Sequence, residues 1–422
     1  MHFSPRRGLA PLSFAVLALA AATAVAQPPP GATVESLLVY ARQSNPEFAF
    51  MQHEAEAAAA RVAPAGNLPD PSFSMELRDI TRDGTSGPTL SPANVGSTKY
   101  TVRQMFPWPG KRDLARAAAE ASAEQSNQAA RATWNELAMK LKVAQARRYE
   151  LAQRRQIVGE IDDLLANLES ITRTRYASGL AAQADAVRAL SERTMLRGEL
   201  ISLAAQSRTV DAQVNALLAR PPGAPLAAAV RPRIPAADLP FAPLADRLRD
   251  RSPELAADRA RQDSAERSRE LAYRNRYPDF ALAVSPIQRD NRLADWDVMF
   301  EVTIPLQQGT RRAQEREAEA MVAAAAARRE ATLQRSLGEL GTTLAQLEAA
   351  REMERLTETS LLPQARVNLQ AALAAYETGK VDFAALLDAE RQVRQARLSL
   401  LAAEVDAQMR LAEIERLIGE DL

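Results

Sequence analysis

The chain has 422 residues, with 53 Lys+Arg against 53 Asp+Glu, two histidines and no cysteine. A balanced charge offers no electrostatic case for nucleic acid. The lack of cysteine excludes a disulfide framework, a thiolate metal centre and a lipid-anchored N-terminal cysteine.

The first segment reads as a targeting signal. Arg6 and Arg7 precede an apolar stretch from Leu9 to Ala26, which closes on Ala24-Val25-Ala26, a small-x-small cleavage pattern. The pattern predicts a signal peptide over 1–26 and a mature chain of one domain over 27–422. Pro11 and Ser13 interrupt the apolar stretch, against a transmembrane anchor. Taking Arg6 and Arg7 from the 53 basic residues leaves 51 against 53 acids. One histidine remains, His53, in an Ala/Glu-rich helical stretch where a surface position is the better reading. No GxxxxGK[ST] loop, GxGxxG or Cys/His cluster occurs. The expectation is no catalytic, cofactor-binding or metal-ligating residue, no cofactor, and no enzyme.

The mature chain is written twice. Ser44-Asn45-Pro46-Glu47 returns as Arg251-Ser252-Pro253-Glu254, and Leu68-Pro69-Asp70 as Tyr277-Pro278-Asp279. Phe106-Pro107-x-x-Gly110 returns as Ile304-Pro305-x-x-x-Gly309, and Tyr176-x-x-Gly179 as Tyr376-x-x-Gly379. The offsets at Glu47, Asp70, Gly110 and Gly179 are 207, 209, 199 and 200. Two repeats are predicted, about 34–220 and 241–420. The fall from 209 to 199 puts about ten extra residues in the first, in a loop over Thr81 to Ser97 rich in Gly, Ser, Thr and Pro. Seven prolines between Pro221 and Pro243 rule out a continuous helix there and predict an extended connector over 221–243.

Each repeat reads as helix, β-hairpin, very long helix, turn and long helix. Lys111 to Ala177 has no proline, and Gln314 to Glu377 has only Pro363. About 65 residues at 1.5 Å per residue is roughly 100 Å, which implies a coiled coil or helical barrel. Heptad steps of 4 and 3 run through Leu333, Leu337, Leu340, Leu344 and Leu347. They recur from Leu196 to Leu217 and from Leu386 to Leu417, with alanine at many of the latter positions. An ordinary antiparallel bundle would use the same seams.

The hairpins alternate with period two. Phe73, Met75 and Leu77 share one face, opposite Ser74, Glu76 and Arg78. Tyr100 and Val102 oppose Lys99, Thr101 and Arg103, with Gln104 breaking the apolar row. In the second repeat Phe280, Leu282 and Val284 form the apolar row of one strand, and Trp296, Val298, Phe300 and Val302 that of the next. Each strand is near the ~9–11 residues that cross a bilayer at a tilt. Four strands cannot close a barrel, and open edges are not tolerated in lipid. Spanning strands therefore require copies to share one barrel: two copies give eight strands and three give twelve, the latter wide enough for a lumen.

The export signal, the doubled order, the strands after Pro-Asp, the long helices and the Tyr-x-x-Gly turns resemble the TolC-like outer-membrane efflux-factor family over about Val34 to Ile418. The resemblance implies a mostly α fold with a small β part. In it, a trimeric α-helical barrel is capped by a shared 12-strand transmembrane β-barrel. It implies outer-membrane lipid around the strands, a helical extension into the periplasm, and a conduit completed by a periplasmic adaptor (membrane fusion protein) and an inner-membrane pump. Carried over, the adaptor-docking periplasmic tips are Tyr176 with Gly179 and Tyr376 with Gly379. Family members place gate acids six and nine residues past the second glycine; those positions here are Ala385 and Asp388. Asp185, six past Gly179, and Asp382, three residues before Ala385, complete the gate candidates. The segment Gln104-Met-Phe-Pro-Trp-Pro-Gly-Lys-Arg112 is most similar to members paired with heavy-metal efflux pumps. The alternatives are a soluble periplasmic coiled-coil or adaptor-type protein, and a type I protein-secretion channel. The resemblance implies that the pump, and not this chain, selects the cargo.

Overall fold

The structure, a computed structural model, describes residues 29–81, 88–178, 182–231 and 239–422. The expected signal peptide, Gly179, part of the first-hairpin loop, and Pro232 and Pro235 of the connector lie outside the described residues.

The first half runs α1 (Val34–Ser44), α2 (Pro46–Ala60), α3 (Val62–Gly66), β1 (Ser72–Arg78), β2 (Ser97–Phe106), α4 (Lys111–Ala177) and α5 (Gln183–Leu217). The second runs α6 (Phe241–Arg251), α7 (Pro253–Arg274), β3 (Asp279–Arg289), β4 (Arg292–Thr303), α8 (Gln308–Leu356), α9 (Leu362–Glu377) and α10 (Phe383–Ile418). The first half opens on three helices and the second on two, where the sequence pattern predicts one in each. The Asn45-Pro46 and Ser252-Pro253 pairs make the break, because proline cannot continue a helix but fits its first turn. The Asn45 carboxamide oxygen accepts from Phe48 N at 2.9 Å, while its amide nitrogen donates to Leu217 O at 2.8 Å. One residue thus starts α2 and ties it to the end of α5.

The second long helical tract is not one continuous α-helix. A π turn, Thr357–Leu361, separates α8 from α9 and lies just before Pro363. Pro363 donates no backbone hydrogen bond and its ring crowds the preceding turn, and a wider turn accommodates both. A second departure is at Gly309. Gly110 caps α4 at φ +87°, whereas Gly309 lies inside the first turn of α8, behind Gln307.

The helices pack lengthwise, and the core is a line of clusters. Leu37, Phe48, Leu137, Leu141, Val214 and Leu218 join α1, α2, α4 and α5. Leu244, Leu248, Leu340, Leu344, Leu347, Ile414 and Ile418 join α6, α8 and α10. Ile157, Ile161, Leu165, Leu196, Leu203, Phe383 and Leu386 join α4, α5 and α10 toward the far end. The heptad residues Leu196, Leu203, Val214, Leu340, Leu347, Leu386, Ile414 and Leu417 are all buried, so the 3.5-residue period marks the contact seams.

The strands form one antiparallel sheet in the order β1-β2-β3-β4. Phe73 pairs with Val102, Val102 with Val284, and Val284 with Val298. Directly opposed residues share a face, so this one row crosses all four strands on the apolar side.

Candidate functional site: the sheet faces and the helical tip

The sheet is inside out for a water-soluble protein. On the apolar side Phe73, Met75, Val102, Leu282, Val284, Trp296, Phe300 and Val302 are exposed, and Val298 is 71% exposed. Leu77, Tyr100 and Phe280 on that side are half-buried. On the polar side Ala281, Ala283 and Ser285 of β3 are buried, whereas Glu76 of β1 and Asp297 and Met299 of β4 are exposed. Lys99 Nζ donates to Asp297 Oδ2 at 2.8 Å, Arg103 Nη2 to Glu301 Oε1 at 2.6 Å, and the Thr101 and Ser285 hydroxyls lie 2.8 Å apart. These bonds cross from β2 to β3 and β4 and stitch the polar face. Among the described residues β1 and β4 have no strand partner on their outer edges. Among the described residues no helix is long and apolar enough to cross a membrane, which says nothing of a β-barrel.

At the far end of the long helices the two turns differ. α9 ends in a Schellman motif: Gly379 N donates to Tyr376 O at 3.0 Å and Lys380 N to Ala375 O at 2.9 Å, with Gly379 at φ +70°. Tyr376 is buried. Its ring lies 5.6 Å from that of Phe383 and under the Arg175 guanidinium at 4.7 Å, and its hydroxyl is 3.2 Å from Thr172 Oγ1. Arg175 Nη1 also donates to Tyr376 O at 2.7 Å. The last turn of α4 therefore holds the second tip. Tyr176 is half-exposed and has no comparable clamp among the described residues.

The three candidate gate acids occupy three different environments. Asp382 is the N-cap of α10, its Oδ1 accepting from Ala385 N at 3.0 Å. It is tied to the helix start, which accounts for its position without a gating role. Asp388 is exposed and only loosely paired with Arg391, at 3.5 Å. Asp185 is half-buried in the first turn of α5, 3.9 Å from Arg188.

Behind Asp388 lies a cluster that sequence reasoning missed. Glu192 of α5 accepts from Arg391 Nη2 at 2.6 Å and Arg394 Nη2 at 3.3 Å, both on α10. Those bonds, Arg391 first, hold the Glu192 carboxyl below its ordinary pKa against its burial. Beside it Glu390 is buried, and neither carboxyl oxygen has a hydrogen-bond partner among the described residues. Burial pushes its pKa up to about 7, Glu192 adds to the rise, and Arg394 and Arg391 oppose it. The available signal was an acid at the inward spacing of Phe383, Leu387 and Glu390. Among the described residues no group of three His, Asp or Glu converges as a metal site.

A sheet turned apolar side out, carried on a helix of 67 residues, defines the class: the fold is that of the TolC-like outer-membrane channels. Residues 244–420 match the family model described as outer membrane efflux protein. It is similar in fold to the outer membrane protein VceC of Vibrio cholerae, at 18% identity and TM-score 0.77, covering 92% of this chain and 96% of that one. The channel protein CusC is 16% identical with TM-score 0.76, covering 94% of this chain and 96% of that one. The CmeC outer membrane channel of Campylobacter jejuni is 12% identical with TM-score 0.76, covering 92% and 85%. A sequence comparison with curated proteins gives no match.

Proposed function

We propose that this chain is the subunit of an outer-membrane efflux channel, a passive conduit from periplasm to exterior. In this reading residues 34–220 and 241–420 are two repeats of one domain, joined by 221–243. Three copies close a 12-strand barrel in the outer membrane, and their helices continue it into the periplasm. A periplasmic adaptor docks at the tips around Tyr176 and Tyr376, and an inner-membrane pump supplies the cargo and its selectivity. Asp388 is the gate candidate we retain. The observation that carries the reading is the four-strand sheet with its apolar face outward and both edges open. Such a sheet is stable only where lipid meets one face and other strands meet the edges. A soluble periplasmic coiled-coil protein has no use for that face. A protein-secretion channel would share the geometry and differ in its pump.

The test compares the two faces. An Arg at Val298 or Phe300 near the bilayer midplane costs about 2–4 kcal/mol and lowers the yield of heat-resistant oligomer. Glu301→Gln, on the polar face, assembles and changes conductance. Equal tolerance on both faces would sink the barrel.

A further inference from the structure

The junction between the two halves is a template for the junction between two copies. Within the chain, the segment after β2 meets the segment before β3. Trp108 stacks on Tyr277 with ring centroids 5.0 Å apart, and Lys111 Nζ donates to Asp279 Oδ1 at 2.8 Å. The corresponding surfaces one half further on are bare. Leu306, which follows Ile304-Pro305 as Trp108 follows Phe106-Pro107, is 81% exposed. Leu68 and Asp70, which correspond to Tyr277 and Asp279, are exposed before β1. These bare segments flank the two open strand edges.

We propose that β4 pairs with β1 of a second copy in one defined register: Val302 opposite Phe73, Phe300 opposite Met75 and Val298 opposite Leu77. Leu306 then covers Leu68 of that copy. The proposal rests on the shared-barrel reading and adds its seam. The register follows from the β2–β3 pairing. Phe106 pairs with Phe280 and Val102 with Val284. Moving β2 to β4 by 198, as Phe106 goes to Ile304, and β3 to β1 by 209, as Asp279 goes to Asp70, turns these pairs into Ile304 with Pro71 and Phe300 with Met75.

Two independent checks agree. First, this register sets apolar against apolar across the seam, and a one-residue slip would set it against the charged face. Second, it sets Arg78 opposite Asp297 and Glu76 opposite Met299. The two neighbouring registers that keep the faces matched both place Glu76 opposite an acid, Asp297 in one and Glu301 in the other. Like charges directly opposed destabilise a sheet. At the rim, the charge that Lys111 supplies within the chain is replaced by Arg311 and Arg312 at the start of α8, on the side where Asp70 arrives.

The chain has no cysteine, so engineered pairs report the seam without background. Directly opposed residues can be bridged, whereas diagonal ones about 7–8 Å apart lie at or beyond disulfide reach. The full-length protein carrying Met75→Cys with Phe300→Cys should cross-link in the outer membrane several-fold more than Met75→Cys with Val298→Cys or with Val302→Cys. Heat-resistant migration of the reduced samples confirms that each variant assembles. If a control pair cross-links best, the register is wrong while the shared barrel stands. If assembled oligomers cross-link at none of the three pairs, the β4–β1 seam is overturned. If the extracted wild-type protein is monomeric by light scattering, the shared-barrel reading itself falls.

Discussion

α5 and α10 end the two halves, and positions 200 residues apart on them have opposite fates. Ile201 on α5 is 72% exposed, and Leu401 on α10 is 6% exposed. Val187 is exposed where Leu387 is buried, and Leu190 is exposed where Glu390 is buried. The difference is one of neighbours. α10 packs along α4, α8 and α9, whereas α5 packs along α4 and meets α10 only toward the tip, where Glu192 pairs with Arg391 and Arg394. In the proposed trimer the exposed apolar residues of α5 are half of a seam, which helices of the next copy cover.

The comparison breaks most sharply in the core. Leu401→Ala should cost the subunit about 2–5 kcal/mol through the cavity it leaves, seen as a large fall in thermal midpoint. Ile201→Ala should leave secondary structure unchanged and reduce the yield of assembled oligomer. An Ile201→Ala subunit as unstable as Leu401→Ala, with normal assembly, would refute the reading.

Glu390 and Leu190 sharpen it through pH. The folded pKa of Glu390 is raised to about 7 from the ordinary 4.5. The folded chain therefore holds a proton that the unfolded chain releases. Its contribution is fully present below about pH 4.5 and is lost as pH rises through about 7. Glu390→Gln keeps the neutral form, so its advantage over wild type should open between those values and reach about 1–3 kcal/mol per chain above pH 7. Leu190→Gln, at the corresponding exposed site, should show no such slope. Midpoints of unfolding at pH 5 and pH 8 decide it.

The tips give smaller effects. Gly379→Val places a β-branched residue at φ +70°, costing about 1–2 kcal/mol. It should weaken adaptor-dependent efflux while outer-membrane insertion continues. Loss of insertion would move Gly379 from the docking surface to the fold. Smallest is the helix start. α10 is capped by the Asp382 side chain, whereas α5, behind Ala182, has no side-chain cap. Asp382→Ala should cost about 1 kcal/mol and speed hydrogen exchange in the first turn of α10. Asp388→Asn should leave exchange alone and lower cation selectivity in single-channel recordings, because a ring of acids favours cations. If Asp388→Asn changes nothing, it is an ordinary exposed acid.

What could be read ahead of the structure is what repeats locally. The alternation at Phe73, Met75 and Leu77 and the heptads from Leu386 to Leu417 are short-range patterns, and each predicted the face that the structure presents. The splits at Pro46 and Pro253 were visible as residues, but their effect depended on whether a helix lay on both sides. Asp382 was read by its spacing from Gly379, a distance along the chain that ignores the cap it forms with Ala385. The clamp of Arg175 on Tyr376 joins residues 201 apart, and the isolation of Glu390 depends on α5 lying beside it. Neither leaves a local trace.

The π turn at Thr357–Leu361 has a mechanical consequence. One residue added to an α-helix turns everything beyond it by about 100°, like a thread advanced by part of a turn. Widening a single turn absorbs that twist where it arises. Leu362 and Ala365 still face α10, and Tyr376, 14 residues past Leu362, still reaches Arg175. The chain can thus change the length of one staff without rotating the fitting at its end. The aim of the second tip is set independently of how far the helix has travelled to reach it.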